Sequence, residues 1–317
     1  MSNYDLCLTW NWEYDADFIR LLGGTCKLHG LSLLQITPEN LSEMKHSLAN
    51  KEITFQILFD RASDTDACFI PIVQWACDHA AHQINSHELA CRARDKVAMH
   101  QAISVSMGTP FTIFLPPYDE EPLLPAINVA SLGSSFTVKP AFGGGGDGVI
   151  NKATTLRQVS VARQEFPTQK YLLQANIIPA QLGTQMAWFR VIYCVGKVYS
   201  CWWNSFTHIY APVTSDEESS YNLGSLRDLS FLIARLCGLD LFSTEIALTP
   251  DGRFVIVDYV NDPIDLRLRS KTFDGVPDDI VQDITERLAG IVLNHYPPSR
   301  GQKIIVSAGQ GMAGYPT

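Results

Sequence analysis

Phe136-Thr137-Val138-Lys139-Pro140-Ala141-Phe142-Gly143-Gly144-Gly145-Gly146-Asp147-Gly148-Val149-Ile150 decides how this chain is to be read. β-Prone residues from Ser135 to Val138 run into Gly143, Gly144, Gly145, Gly146 and Gly148, and Val149-Ile150 resumes the β pattern. The stretch therefore reads as two strands joined by a pliable tip. Glycine without a Cβ accepts positive φ and lets backbone amides converge, and such concave amide clusters bind phosphate oxygens. Lys139 upstream supplies a cation. Because the lysine precedes the glycines this is not a Walker loop, and because the run leads back into a strand it is not the dinucleotide fingerprint. A merely flexible surface hairpin is the competing reading, so the rest of the chain has to carry the argument.

With 317 residues, 46% of them hydrophobic, the chain can bury cores in two or three packed units. A formal net charge of −9 and the lack of any Lys/Arg-rich block argue against a nucleic-acid partner. Cys7, Cys26, Cys68, Cys77, Cys91, Cys194, Cys201 and Cys237 show no C-x-x-C spacing and read as reduced thiols. The N-terminus lacks the basic-then-apolar pattern of a leader, and no apolar run reaches the roughly 18 residues a membrane span needs. A cytoplasmic protein without a membrane partner is expected.

Along the chain, Tyr4–Trp10 (strand), Asp15–His29 (helix) and Leu31–Ile36 (strand) form a β-α-β unit. A helix capped by Asn40 and running to about Ala49, a strand over Ile53–Phe59 and a helix over Phe69–His82 extend it, predicting a small parallel sheet that ends near residue 90. Trp10, Asn11, Trp12 and Glu13 sit at the carboxyl end of the first strand, where open α/β sheets place ligands. One helix is expected over Asn85–Ile103, with a cationic cluster at its centre, then the turn Gly108-Thr109-Pro110 and a strand Ile113–Leu115. Glu120–Ser131 reads as a helix, Thr154–Phe166 as an amphipathic helix with Leu156, Val159 and Phe166 on one side, and Lys170–Ile178 as a strand. Two strands follow in Gln185–Trp203, a polar loop in Thr207–Asn222, a helix in Leu226–Leu239, two strands in Phe242–Val260 and a helix in Asp278–Asn294. Beyond Pro297 only Ile304–Val306 gives a signal.

In this order the pieces resemble the ATP-grasp superfamily over roughly residues 85–270. Arg92-Ala93-Arg94-Asp95-Lys96 with Gly108-Thr109-Pro110-Phe111-Thr112 resembles its "R-x-x-D-K … G-I-P-x-P-x-T" entry, and Phe136–Val149 its "V-x-K-P … G-G-G-G-x-G-V" lysine strand and phosphate loop. Leu172–Pro179 looks like the adenine hinge, Arg190 in Trp188–Lys197 like the arginine strand, and Glu245 with Asp258–Pro263 like the magnesium strands. The resemblance implies an α/β and α+β chain: an ATP-grasp fold of two α+β subdomains clamping ATP, preceded by a small Rossmann-like parallel-sheet domain. It divides the sequence into 1–90, 91–180, 181–300 and a tail 301–317.

It further implies ATP and Mg2+ as cofactors. Lys96, Lys139 and the amides of Gly143, Gly144, Gly145, Gly146 and Gly148 would take the phosphates, and Gln174, Ala175, Asn176 and Ile177 the adenine. Arg190 would address the γ-phosphoryl group, and Arg267 the substrate's carboxylate or phosphate. Glu245, Asp258 and Asn261 would hold magnesium through hard oxygen atoms. The family spaces its acidic ligand and asparagine by two residues, whereas Asp258 and Asn261 are three apart and would face opposite sides of a regular strand. A bulge restores a common face; otherwise Asp262 is the substitute. The implied activity is a carboxylate–amine ligase working through an acylphosphate on small-molecule substrates. An inositol-phosphate-type kinase and a nucleotide-binding regulator are the alternatives, and a homodimer is left open.

Overall fold

The computed structural model describes residues 1–295, so the proposed tail and the weak strand signal at Ile304–Val306 lie outside the described residues. The chain begins with β1 (Ser2–Trp10), α1 (Ala16–Leu28), β2 (Leu33–Ile36), α2 (Leu41–Ala49), β3 (Ile53–Arg61), α3 (Ile70–Asp78) and β4 (His82–Ile84). The four strands form a parallel sheet in the order β2-β1-β3-β4. Parallel strands covered on both faces need apolar residues at successive positions. In β1, Leu6 and Leu8 accordingly enter one core while Cys7 enters another with α2 and α3.

Next come α4 (His87–Arg94), α5 (Lys96–Ile103), β5 (Thr112–Leu115), β6 (Phe136–Pro140), β7 (Ile150–Ala153), α6 (Leu156–Glu165) and β8 (Tyr171–Ala175). Strands β5-β8-β6-β7 make an antiparallel sheet with α6 against one face. After the small hairpin β9 (Gln181–Leu182) and β10 (Gln185–Met186) come β11 (Trp188–Cys194), β12 (Lys197–Trp203), β13 (Tyr210–Pro212), α7 (Ser215–Ser220), α8 (Ser225–Cys237), β14 (Leu241–Leu248), β15 (Phe254–Asn261) and α9 (Asp278–His295). The antiparallel sheet β13-β12-β11-β14-β15 has α4, α5 and α8 on one face. Its other face shares a core with α1, α9 and the parallel sheet through Phe18, Ile192, Ile284 and Leu288. Each such fully buried side chain contributes roughly 1.5–3 kcal/mol.

Several expectations are corrected. The helix expected over Asn85–Ile103 is two, because Asp95 takes an extended conformation and its carboxylate caps α5 at Val97 N and Ala98 N. The Phe69–His82 helix stops at Asp78, since Ala80 takes a positive φ and frees His82 to start β4. Asn40 precedes α2 without capping it, its side chain bonding Thr37 N and Gln35 O instead. Glu120–Ser131 is not an α-helix, and only its end joins a 3-10 turn over Val129–Leu132: Pro122 and Pro125 lack amide donors, and the buried Arg163 draws in the carbonyls of Pro116, Pro117 and Glu121. Leu156 is exposed, and the buried face of α6 is Val159, Ala162 and Arg163. The polar loop over Thr207–Asn222 contains β13 and α7, the latter started by a Thr214–Glu217 capping box.

Gly108 closes the edge of β15, its carbonyl accepting from Ile256 N at 2.8 Å. A Cβ there would collide with the Phe254 carbonyl oxygen, a backbone atom that has no rotamer to give way. Gly108→Ala is expected to cost about 2–3 kcal/mol in urea unfolding; an unchanged midpoint would show that this edge contact is unimportant.

Candidate functional site

Arg190, Glu245 and Asp258 lie in one row across β11, β14 and β15, with Arg190 opposite Glu245 and Glu245 opposite Asp258. Directly opposed residues share a face of an antiparallel sheet. In the next row Ser243 is opposite Asn261, so two steps along β14 correspond to three along β15. The extra residue is a bulge, and it returns Asn261 to the face of Asp258 despite their spacing. The Asn261 amide is close enough to Asp258 to help hold that carboxyl's pKa down, and its Nδ2 lies 3.4 Å from Ser243 O. The substitute Asp262 points elsewhere. It accepts from Asn85 Nδ2 at 2.5 Å in a small polar cavity lined also by Asp60, Asp64, His87 and Arg94.

A second irregularity sets two residues of β15 against one of β14 between Ile256 and Asp258, where Val257 lies. Lys139, on β6 of the other antiparallel sheet, donates to Val257 O at 3.2 Å. Lys139 thus bridges the two sheets beside the row of charged residues, although it is 7% exposed. Burial lowers its pKa and Lys96 adds to that, while Asp258 and Glu245 work against it. Burial also opposes ionisation of Asp258, yet Lys139, Lys96 and Arg190 together hold its carboxyl below the usual range. Arg190 bonds Glu245 Oε1 at 2.5 Å and Ser243 Oγ at 3.1 Å over the Trp203 ring, and Trp188 Nε1 takes Glu245 Oε2 at 3.0 Å.

Above this seam the glycine loop is open. Gly143, Gly145, Gly146 and Gly148 have φ of 117°, 63°, 85° and 66°, and Gly143 to Gly146 are exposed. Lys96, at the start of α5, reaches Gly143 O, and its own amide bonds Ala141 O at 2.9 Å. Asn176 is tied to Thr137 and Ser135 by its side chain, and Ala175 N bonds Phe111 O. Ile177 follows just beyond the end of β8.

Two candidate side chains are engaged elsewhere. Gln174 is buried, and its amide donates to Thr112 Oγ1 and Tyr259 OH rather than into open space. Arg267 is held by Asp265 at 2.7 and 2.9 Å and by Asp274 at 2.9 Å, over the Trp12 ring. Its fork is therefore engaged by two carboxylates. Tyr259 and His100, which join Gln174 around Lys139, gave no signal in the sequence because nothing in the spacing of a buried Tyr and His marks a contact across 159 positions. Among the described residues no cluster of three His, Cys, Asp or Glu side chains is placed to hold a metal. Two opposed carboxylates and an amide oxygen are instead the hard-oxygen set that suits Mg2+ completed by phosphates and water.

The chain superposes on solved structures over 90–93% of its length. A RimK-domain ATP-grasp protein from Sphaerobacter thermophilus is 17% identical, with 90% of this chain and 99% of that one covered at a TM-score of 0.62. A D-alanine–D-alanine ligase from Bacillus anthracis complexed with ATP is 11% identical, with 93% and 97% covered at 0.64. The ATP-grasp ligase PsnB, complexed with a minimal precursor, Mg and ADP, is 10% identical, with 92% and 97% covered at 0.58. The chain has an ATP-grasp fold. No family model matches the sequence, and no curated protein matches it. Among the described residues no helix is long and apolar enough to cross a membrane.

Burial pushes Asp262 from the ordinary 3.8 up to about 6, with Asn85's hydrogen bond pulling the other way. A carboxyl whose folded pKa is raised binds more protons folded than unfolded, so its contribution is fully present below pH 3.8 and is lost as pH rises through about 6. Asp262→Asn is expected to remove roughly 3 kcal/mol of pH dependence from unfolding between these values. An identical pH profile in the variant would contradict the assignment.

Proposed function

We propose that this protein is an ATP-dependent, Mg2+-requiring ligase that joins a small-molecule carboxylate to an amine through an acylphosphate. One observation carries the reading: Lys139 of one antiparallel sheet meets the Arg190–Glu245–Asp258 row of the other at Val257 O. A buried ammonium beside two carboxylates and a guanidinium is poorly matched to an empty seam and well matched to a polyanion with a divalent ion. The ATP-grasp fold supports it, as do the ATP, ADP and Mg in the complexes of its structural neighbours.

On this reading Lys96 and Lys139 offset phosphate charge as point cations, and the loop amides of 143–148 close over the remaining oxygens. Arg190 holds the transferring phosphoryl group with its planar fork. Glu245, Asp258 and Asn261 would hold Mg2+ through their oxygen atoms, and the ion would supply neutralisation of phosphate charge there. The substrate carboxylate oxygen attacks the γ-phosphorus and ADP leaves. The amine nitrogen then attacks the acyl carbon, phosphate leaves, and the amine's proton passes to water. No side-chain nucleophile is required, because positioning and charge dispersal supply the acceleration. Arg267, neutralised by Asp265 and Asp274, is better placed to shape the wall near Trp12 than to bind an anion. The same neutralisation disfavours an inositol-phosphate-type kinase, whose acceptor needs several free cations.

Lys139→Ala is expected to weaken ATP binding by about 10–100-fold, as loss of a charged hydrogen-bond donor does. Asp258→Asn should lower kcat by about 100-fold with little change in ATP affinity. The assay incubates the protein with ATP, Mg2+ and pooled amino acids and follows ADP, AMP and phosphate. ADP plus free phosphate that depends on two substrates supports the ligase. A stable phosphorylated product, or tight binding without turnover, would replace it with the kinase or the regulator.

A further inference from the structure

We infer that Tyr259 is the positioning residue of the nucleotide grip: its ring face carries the Lys139 ammonium, while Gln174 and His100 lock that ring in place. What Lys139 binds rests on the function proposed above; where Lys139 sits does not.

Lys139 Nζ lies 5.5 Å from the centroid of the Tyr259 ring, within the range in which an aromatic face attracts a cation. Tyr259 is 1% exposed, so this attraction is not diluted by water. The hydroxyl sits in a chain of hydrogen bonds that runs from Thr112 to His100. Thr112 Oγ1 donates to Pro110 O at 2.9 Å and accepts from Gln174 Nε2 at 3.1 Å. Gln174 Nε2 gives its second proton to Tyr259 OH at 2.8 Å. The Tyr259 hydroxyl and His100 Nδ1 lie 2.5 Å apart and share a proton between them. Burial lowers the pKa of His100 and Lys139 lowers it further, which favours the neutral ring. The His100 and Phe114 rings meet edge to face with centroids 5.2 Å apart.

These groups come from α5, β5, β8 and β15, so the network joins the two antiparallel sheets directly behind Lys139. A neutral His100 also keeps a competing positive charge away from the ammonium. Lys139 has its hydrogen bond to Val257 O on one side and the ring on another. Its remaining protons are left to point at the row of Glu245 and Asp258, where the polyanion would arrive.

The experiment is a double-mutant cycle on ATP affinity combined with labelling of Lys139 in nucleotide-free protein. Tyr259→Leu, which removes the ring face, is expected to weaken ATP binding by about tenfold in the wild-type background and by less than about twofold in Lys139→Ala. Tyr259→Phe keeps the face and should retain affinity within about threefold. Acylation of Lys139 by an amine-reactive ester, read by mass spectrometry, should accelerate in Tyr259→Leu and not in Tyr259→Phe. Equal losses in both backgrounds, or unchanged labelling in a folded Tyr259→Leu, would overturn the proposal. If Tyr259→Leu does not fold, Gln174→Leu runs through the same cycle, with a smaller loss expected only when Lys139 is present. If the wild type binds no ATP, the proposed function fails, and the labelling result alone decides the positioning.

Discussion

Lys139 holds an ammonium group in the closed seam between two antiparallel sheets, with one backbone carbonyl as its hydrogen-bond partner among the described residues. Taking a charge out of water costs several kcal/mol unless neighbours replace the lost solvation. Here the replacement is assembled from separate sources: the Val257 carbonyl freed by an irregularity in β15, the Tyr259 ring, and the fields of Asp258 and Glu245. Each comes from the five-stranded sheet, whereas the lysine comes from the four-stranded one. The position of one sheet on the other and the chemistry of the seam are therefore the same problem.

The irregularities of β15 serve both ends. A regular strand would pair Val257 in the ladder and turn Asn261 away from Asp258. With the extra residues, Val257 O faces Lys139, and Asp258 and Asn261 share a face opposite Glu245 and Ser243. Bulges at a sheet edge commonly re-aim side chains in this way. Gly108 supplies the other half of the arrangement, covering the edge at Ile256 where no strand pairs. The chain is acidic overall, and its cations matter through placement rather than number. Lys96, Lys139 and Arg190 converge on Asp258, while Arg267 is spent on Asp265 and Asp274.

Much of this is legible in the sequence, because its signals are local. The glycine run, the lysine four residues ahead of it and the two-strand patterns around Val195-Gly196-Lys197 and Pro250-Asp251-Gly252 depend only on neighbouring residues. Those segments fold as expected, as do the β-α-β start and the helix from Ser225. The failures share a cause. Asp95 cuts a helix because its carboxylate finds two amides, and 116–128 stays irregular because Arg163, more than 40 positions away, collects carbonyls from its first part. Gln174 looks like a ligand contact by position, yet Thr112 and Tyr259 claim its amide. Arg267 looks free until Asp274 folds back onto it. Each depends on a partner brought by tertiary structure. The three-residue gap between Asp258 and Asn261 is intermediate: the sequence states the geometric problem, and only the ladder register answers it.

The central claim is that the seam between the two antiparallel sheets is shaped for the anionic tail of a nucleotide. A crystal structure with a non-hydrolysable ATP analogue and Mg2+ tests this most directly. The account predicts phosphate oxygens within hydrogen-bonding reach of the Lys96 and Lys139 ammonium groups and a metal ion between those oxygens and the Glu245–Asp258 pair. A nucleotide bound elsewhere, or a seam in which Lys139 still contacts only Val257 O and Tyr259, would contradict it.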